Sequence, residues 1–589
     1  MPERHHRGEG ATALSNARRP NSSDRPWIKH FQSASYSLRT EHSPKPASTR
    51  KFTGESRTIR SFHPDRSGRS TTAGYTCFSF QPPEPSFLAI SAHRKQFLLI
   101  LLLLGLYLLL AFSWQDISLY DESNYMAAGA ALHAADFYTA YTIGPLYALW
   151  YRILMFFFHD AVVRYFASWA LLCIINALIP LTFRVQRAWL YALLAIASPL
   201  YSVQPYVSLF ASTILLAGLS LLLARRRTIL YGAEIALVVS FAMAFCRPEF
   251  AYAVFLAAAL VVLLAVAARD TKPAARWKAL AMAVGLTAAM LTVTTHSSTT
   301  GRSSGTAFAQ HVNLRASLRG RLGDEFPFTS AYANRLFGVD TAHNAANTVA
   351  TIGEFARAKP RIFLRYVGYN LVDRRMIAFI VCLAVVAVLT WRRRGQPGFL
   401  PAGVFLLLVS FPVLASCLLI SPEHHYLMIV APCFLLFALQ VPPAHPFFAQ
   451  SGVTIGLVAV CLLVLVGQAI VHARHRAANP EKNLAAVDCL RSVDSHTTTV
   501  SPVSFDPLGL PDVYLPRHHR EVDISDLYPV TQFQNWVRTV RPGEVTLVPS
   551  AAYFYKTPMP QLQAFLAGQG YTPFVCPNRP SMVVYSLPQ

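Results

Sequence analysis

Residues 93–125 read HRKQFLLILLLLGLYLLLAFSWQDISLYDESNY, which sets a basic triplet, an uncharged apolar run and a pair of adjacent acids in that order. A helix rising about 1.5 Å per residue needs roughly twenty apolar residues to cross a bilayer core of about 30 Å. The run from Phe97 to Phe112 is close to that, and His93-Arg94-Lys95 stands at its start. Lys and Arg gather on the cytoplasmic side of membrane spans. The chain is therefore expected to leave the cytoplasm here and to present Asp121-Glu122 on the far side. Adjacent carboxylates at the exit of a span are costly unless they are solvated, paired or put to use.

The pattern repeats outward from this stretch. Of 589 residues, 14% are charged and 53% hydrophobic, whereas soluble domains carry roughly a quarter charged residues. Apolar runs lie near 96–114, 161–183, 188–204, 206–224, 229–246, 248–268, 277–296, 371–391, 399–420, 425–443 and 450–472, about eleven spans in all. Under that count His93 to Lys95, Arg184 and Arg187, Arg225 to Arg227, Arg269 to Lys278, and Arg392 to Arg394 fall on one side. This predicts an all-α polytopic protein of the cytoplasmic (inner) membrane, N-terminus cytoplasmic and C-terminus extracytoplasmic. A net charge of +22 and a pI near 9.8 invite nucleic acid as a partner. The basic clusters flank apolar runs, however, so topology accounts for them, and the expected partner is the lipid bilayer.

Residues 1–92 are rich in Ser, Arg, Pro and His without apolar periodicity, and read as a disordered basic cytoplasmic tail or an over-extended gene start. They are not a secretory signal, since the first apolar run begins only near Phe97. Residues 474–589 alternate short apolar stretches (Glu544 to Val548, Ser581 to Leu587) with helix-like segments such as Met559 to Leu566. A small extracytoplasmic α/β domain is expected there. Gly568-Gln569-Gly570 reads as a turn, not a phosphate loop. The cysteines make no metal pattern. Cys173, Cys246, Cys382, Cys417, Cys433 and Cys461 sit singly in apolar runs, while Cys489 and Cys576 lie in the polar tail and can pair in an oxidising compartment.

Two long loops, 115–160 and roughly 297–370, are left for the outer face. In the first, Asp121-Glu122-Ser123-Asn124-Tyr125 precedes Phe137-Tyr138, Tyr141 and Gly144-Pro145-Leu146-Tyr147. On residue physics alone, Asp121 or Ser123 caps a loop helix, where the helix dipole favours an acid. The order of these elements, followed by His159 to Arg164 at the turn into the second span, resembles the GT-C glycosyltransferases. The nearest likeness is to bacterial relatives of protein O-mannosyltransferases and aminoarabinose transferase (family 39-like). The resemblance runs from about residue 96 to 473 and implies a GT-C-like catalytic domain over 93–473. It implies transfer, with inversion, of a sugar from a polyprenyl-phosphate donor to an extracytoplasmic glycan, lipid or protein acceptor. Asp121 is then the candidate base toward the acceptor and Glu122 its orienting partner. Tyr125 falls on the donor side, and Tyr138, Tyr141, Pro145 and Tyr147 on acceptor or loop positions.

Two positions depart from the family pattern. Relatives carry an acidic-basic pair just before the loop proline, where Ile143 and Gly144 stand, and a second acid at the start of the fourth span, where the chain reads Tyr206 to Phe210. A lone acidic pair is a thin site for a divalent cation, so no metal ligands are assigned.

Further candidates lie in later turns. Cys246-Arg247-Pro248-Glu249-Phe250 breaks an apolar run; Arg247 and Glu249 either pin that turn as an ion pair or contact the donor. Pro422-Glu423-His424-His425-Tyr426 lies at the junction of the ninth and tenth spans. There His424, His425 and Tyr426 either meet the lipid phosphate, play an interfacial structural role, or offer a weak metal site. Arg302, His311, Arg315, Arg319 and Arg321, then Asp324-Glu325, crowd the second loop. They belong to a solvated loop with local ion pairs or, led by Arg302, to an anionic lipid phosphate or acceptor. Glu354 to Tyr366 is expected to form an amphipathic interfacial helix. The rival functions are a transporter or flippase of lipid-linked glycan, and a non-catalytic assembly subunit.

Overall fold

The computed structural model describes residues 87–588, less 297–351, 441–450, 502–510 and several shorter stretches. Residues 1–86, Tyr141, Ile143, Arg302 and the charged cluster of the second loop lie outside the described residues.

Helices dominate in the order α1 Phe87–Phe112, α2 Asp121–Ala131, α3 Asp136–Thr139, α4 Pro145–Met155, α5 Ala161–Thr182, α6 Ala188–Ala197, α7 Val207–Ala224, α8 Ile229–Ala244, α9 Ala251–Ala267 and α10 Pro273–His296. Then come α11 Pro360–Leu371, α12 Arg374–Arg392, α13 Phe399–Leu419, α14 His424–Leu427, α15 Ala431–Leu439 and α16 Ser451–Ala478. Eight helices among the described residues are long and apolar enough to cross a membrane: those at Arg94–Phe112, Ala161–Thr182, Val207–Ala224, Pro248–Ala267, Pro273–His296, Arg374–Arg392, Phe399–Leu419 and Gly456–Arg474. The other three apolar runs fold as the shorter α6, α8 and α15, of 10, 16 and 9 residues. Ser198-Pro199 explains the first of these. Proline cannot extend the helix, so α6 stops at Ala197 and the chain turns through a 3₁₀ segment at Pro199–Ser202. The expected helix over Glu354 to Tyr366 is interrupted: residues 355–357 are helical, Lys359 bends, and α11 begins at Pro360, a residue that suits a first turn and disfavours unbroken helix across it.

The interior is apolar, and a few of its buried polar groups bond one another. Asn176 on α5 accepts from Tyr191 Oη at 2.7 Å and donates to Ser212 Oγ at 3.2 Å, while Trp169 Nε1 donates to the Tyr201 carbonyl at 2.7 Å. These bonds fasten the break after α6 into the bundle. The helices meet at two ends. At one, Arg187 Nη1 donates to the Leu439 carbonyl at 2.9 Å and Gln440 Nε2 to that of Gln186 at 3.0 Å. At the other, Leu146 N donates to the Phe245 carbonyl at 3.0 Å and Asn370 Nδ2 to that of Leu418 at 2.8 Å.

The C-terminal part is the expected mix of helix and strand. β1 Thr498–Ser501, β2 Arg520–Asp523, β3 Glu544–Leu547, β4 Thr572–Val575 and β5 Val583–Ser586 form one sheet in the order β2-β1-β3-β5-β4. β1 runs parallel to β2 and β3, and β5 antiparallel to β3 and β4. Helices α17 Asn483–Ser492, α18 Val530–Val540 and α19 Met559–Gly568 accompany it. Asp116 Oδ2 accepts from Asn483 N at 2.7 Å, Tyr514 Oη donates to the Ser118 carbonyl at 2.7 Å, and Arg491 pairs with Asp160 at 3.0 Å. The sheet unit thus docks on the loop after α1 and on the start of α5. Cys489 and Cys576 form a disulfide across 87 residues, tying α17 to the end of β4.

Closing a loop of that length is worth about 2–4 kcal/mol. Peptide mass spectrometry without reductant is expected to recover Cys489 linked to Cys576. Cys489→Ser is expected to raise protease sensitivity of residues 483–588 while leaving the bundle resistant.

Candidate functional site

The acidic motif opens α2, with Asp121 and Glu122 in its first turn. They diverge at once. Asp121 is half-buried, whereas Glu122 has no exposed surface. Glu122 Oε2 accepts from Tyr151 Oη at 2.7 Å and Tyr147 Oη at 2.8 Å; Oε1 accepts from the amides of Tyr206, in a short bond, and of Val207 at 3.2 Å. Those amides are the free donors at the start of α7, the groups that every helix N-terminus leaves unsatisfied. Glu122 therefore caps α7 from another helix and joins α2, α4 and α7 at one point. Tyr147 and Tyr151 are four residues apart, so both phenols lie on one face of α4. Burial, and then the Glu122 charge, hold both phenols well above their usual range, so they remain donors. Burial likewise pushes the Glu122 carboxyl up to about 7, against the pull of Tyr151, Tyr147 and the Tyr206 amide; the Asp121 charge adds to the rise.

Tyr125, one turn along α2, sets its ring edge-on to Tyr147 with centroids 4.9 Å apart. Gly144 lies beside it at φ 69°, and a Cβ there would stand 2.8 Å from the Cys246 carbonyl and 3.2 Å from the Tyr125 ring. Only glycine adopts this conformation and admits that carbonyl without strain. The start of α4, with Pro145 in its first turn, is thereby pressed onto the Cys246 turn. In that turn Arg247 Nε meets Glu249 Oε1 at 2.8 Å, both side chains largely buried, and the guanidinium lies 4.7 Å from the centre of the Tyr426 ring. Tyr426 in turn packs at 4.2 Å against His425, which is buried, while His424 is exposed. Of the two readings expected for Arg247 and Glu249, the ion pair is the one the structure shows, and it lies against Tyr125 and Tyr426.

Glu423, His424 and His425 are the one group of three among the described residues with metal-binding atoms near one another, all within 4.8 Å. Arg375 lies 3.5 Å from Glu423, and a guanidinium there competes with a cation. Tyr138 stands apart from this cluster, partly exposed and stacked on His296 at 5.3 Å.

The structure accordingly gathers Glu122, Tyr125, Pro145, Tyr147, Arg247, Glu249, His425 and Tyr426 through a continuous set of contacts, with Asp121 and His424 on their margins. Sequence reading missed Tyr151 and the amides of Tyr206 and Val207. The spacing of Tyr147 and Tyr151 was a usable signal, but nothing local announces a backbone donor. No family model, curated protein or solved structure matches the chain.

A carboxyl whose folded value lies above its unfolded one stabilises the fold at low pH and loses that contribution as pH rises through the interval. For Glu122 the window runs from 4.5 to about 7, a change on the order of 3 kcal/mol. Thermal melts of the detergent-solubilised chain are expected to fall across that window, and those of Glu122→Gln to stay flat. Equal slopes in the two proteins would show that Glu122 ionises freely.

Proposed function

We propose that the chain is an integral-membrane glycosyltransferase of the GT-C type, moving a sugar from a polyprenyl-phosphate donor to an extracytoplasmic acceptor with Asp121 as base. The observation that carries this reading is the arrangement at the acidic end of the bundle. Asp121, half-buried, sits beside a locked carboxylate whose helix packs against a cluster that includes a guanidinium and two imidazoles. In this reading α6, α8 and α15 complete eleven crossings, which returns the chain alternately to the two ends. The basic turns then share the cytoplasmic end. The Cys489–Cys576 disulfide, in a unit docked at the acidic end, suits an oxidising compartment on that side.

The chemistry follows from these groups. An acceptor hydroxyl gives its proton to the Asp121 carboxylate as its oxygen bonds to the anomeric carbon. The bond from that carbon to the phosphate oxygen breaks on the opposite face, and the polyprenyl phosphate leaves as an anion. Cationic and hydrogen-bonding groups stabilise such a departing charge. Arg247, already oriented by Glu249 and Tyr426, and His424, exposed beside them, are the groups assigned to that task. Glu122 takes no part in proton transfer; it fixes the helix that carries Asp121.

The direct test is transfer from a mixture of radiolabelled polyprenyl-phosphate sugars in membranes holding matched amounts of each protein. Loss of a general base costs about 10²–10⁴-fold, so Asp121→Asn is expected to fall by at least about a hundredfold. Glu122→Gln, which keeps the shape, with one oxygen still accepting from the α7 amides and its NH2 donating to the phenol oxygens instead, is expected to stay within about tenfold of the wild type. Full activity in Asp121→Asn overturns the assignment.

A further inference from the structure

A cleft of about 380 Å³ opens between the start of α5 and the C-terminal unit, lined by His159, Asp160, Ala161, Arg164, Arg491, Val513 and Tyr514. Its charges do not balance. Asp160 is the one acid in the lining, and it is fully engaged. Its Oδ1 caps α5 through the amides of Val162 at 2.8 Å and Val163 at 3.0 Å, and its Oδ2 meets Arg491 Nη2 at 3.0 Å. Arg164 forms no direct ion pair among the described residues, and the only carboxylate whose charge reaches it is this same Asp160. It is 5% exposed, and its Nε and Nη2 donate to the carbonyls of Phe158 at 3.1 Å and His159 at 2.9 Å. Carbonyls orient a guanidinium but do not neutralise it, and buried charges are ordinarily paired. Arg491 is itself braced, its Nε donating to the Tyr514 carbonyl at 2.8 Å. Two fixed guanidiniums and a histidine therefore face a space with one spent carboxylate, which suits a phosphate oxyanion.

The surroundings identify where that phosphate comes from. Ile153, Phe156, Phe157 and Val163 flank the lining residues in sequence and are 44%, 74%, 71% and 51% exposed. α5, which starts at the cleft, is one of the helices of membrane-crossing length. A contiguous set of exposed apolar side chains beside the end of such a helix marks contact with a membrane. A soluble anion has no use for that apolar apron, whereas a lipid does.

We propose that this cleft binds the phosphate headgroup of an anionic phospholipid, whose chains lie over Ile153, Phe156, Phe157 and Val163. The bound lipid bridges the bundle and the C-terminal unit, because Arg164 belongs to one and Arg491 to the other. The assignment rests on the membrane-spanning helices and not on sugar transfer, so neither proposal falls with the other.

The test reconstitutes the full chain in phosphatidylcholine nanodiscs containing a minor share of phosphatidylglycerol, and counts the lipids retained after extraction by mass spectrometry. The wild type is expected to enrich phosphatidylglycerol over phosphatidylcholine by about tenfold, the scale of one charge-assisted contact. Arg491→Gln, at the more exposed of the two sites, is expected to abolish most of that enrichment, as is Arg164→Gln where it folds. Phe156→Ser with Phe157→Ser is expected to lower retention of the lipid with both arginines intact. Unchanged enrichment in folded Arg491→Gln overturns the proposal. So does delipidated protein that binds inorganic phosphate as tightly as short-chain phosphatidylglycerol, a result that marks a free-phosphate site.

Discussion

One buried carboxylate organises the acidic end of this protein. Glu122 receives two phenolic hydroxyls from α4 and two amides from the start of α7, while its own backbone belongs to α2. A buried acid without such donors is strongly destabilising, because desolvation is uncompensated. With them, three helices have one relative arrangement that satisfies all the groups. The remaining contacts of the region follow from it. Once α2 and α4 are fixed, Tyr125 packs on Tyr147, Gly144 receives the Cys246 carbonyl, and Arg247 comes to rest between Glu249 and Tyr426.

This gives two adjacent acids different work. Glu122 faces inward on α2 and is consumed by structure; Asp121, one residue earlier, points off that face and keeps some exposure. Neighbouring positions on a helix lie about 100° apart, so a single turn supplies both an anchor and a carboxylate at the rim. The proposed division of roles between a positioning residue and a base rests on that geometry.

Much of the fold was legible in the sequence. Eight of the expected spans are helices of the required length, and the disulfide joins the two cysteines of the polar C-terminal tail. The two departures from the resembled pattern also make sense in three dimensions. At Gly144 the positive φ and the approach of the Cys246 carbonyl exclude a side chain, charged or not. The start of α7 has no acid of its own, and Glu122 supplies one from α2. Neither reason was legible beforehand. Hydropathy reports whether a segment is apolar, not whether Ser198-Pro199 will halt it, and a motif shows which side chains are present, not which backbone amides they will meet. The cleft between Arg164 and Arg491 was hidden for the same reason, since its two cations are separated by more than three hundred residues of chain.

The claim that Glu122 unites three helices is tested most directly by hydrogen–deuterium exchange on the full chain in nanodiscs, comparing the wild type with Glu122→Ala. The account predicts that peptides covering 121–131, 145–155 and 206–212 gain exchange together, while those of α9 and α13 keep wild-type protection. Unchanged protection of 206–212 in the variant would contradict it, because the amides of Tyr206 and Val207 would then depend on some other partner.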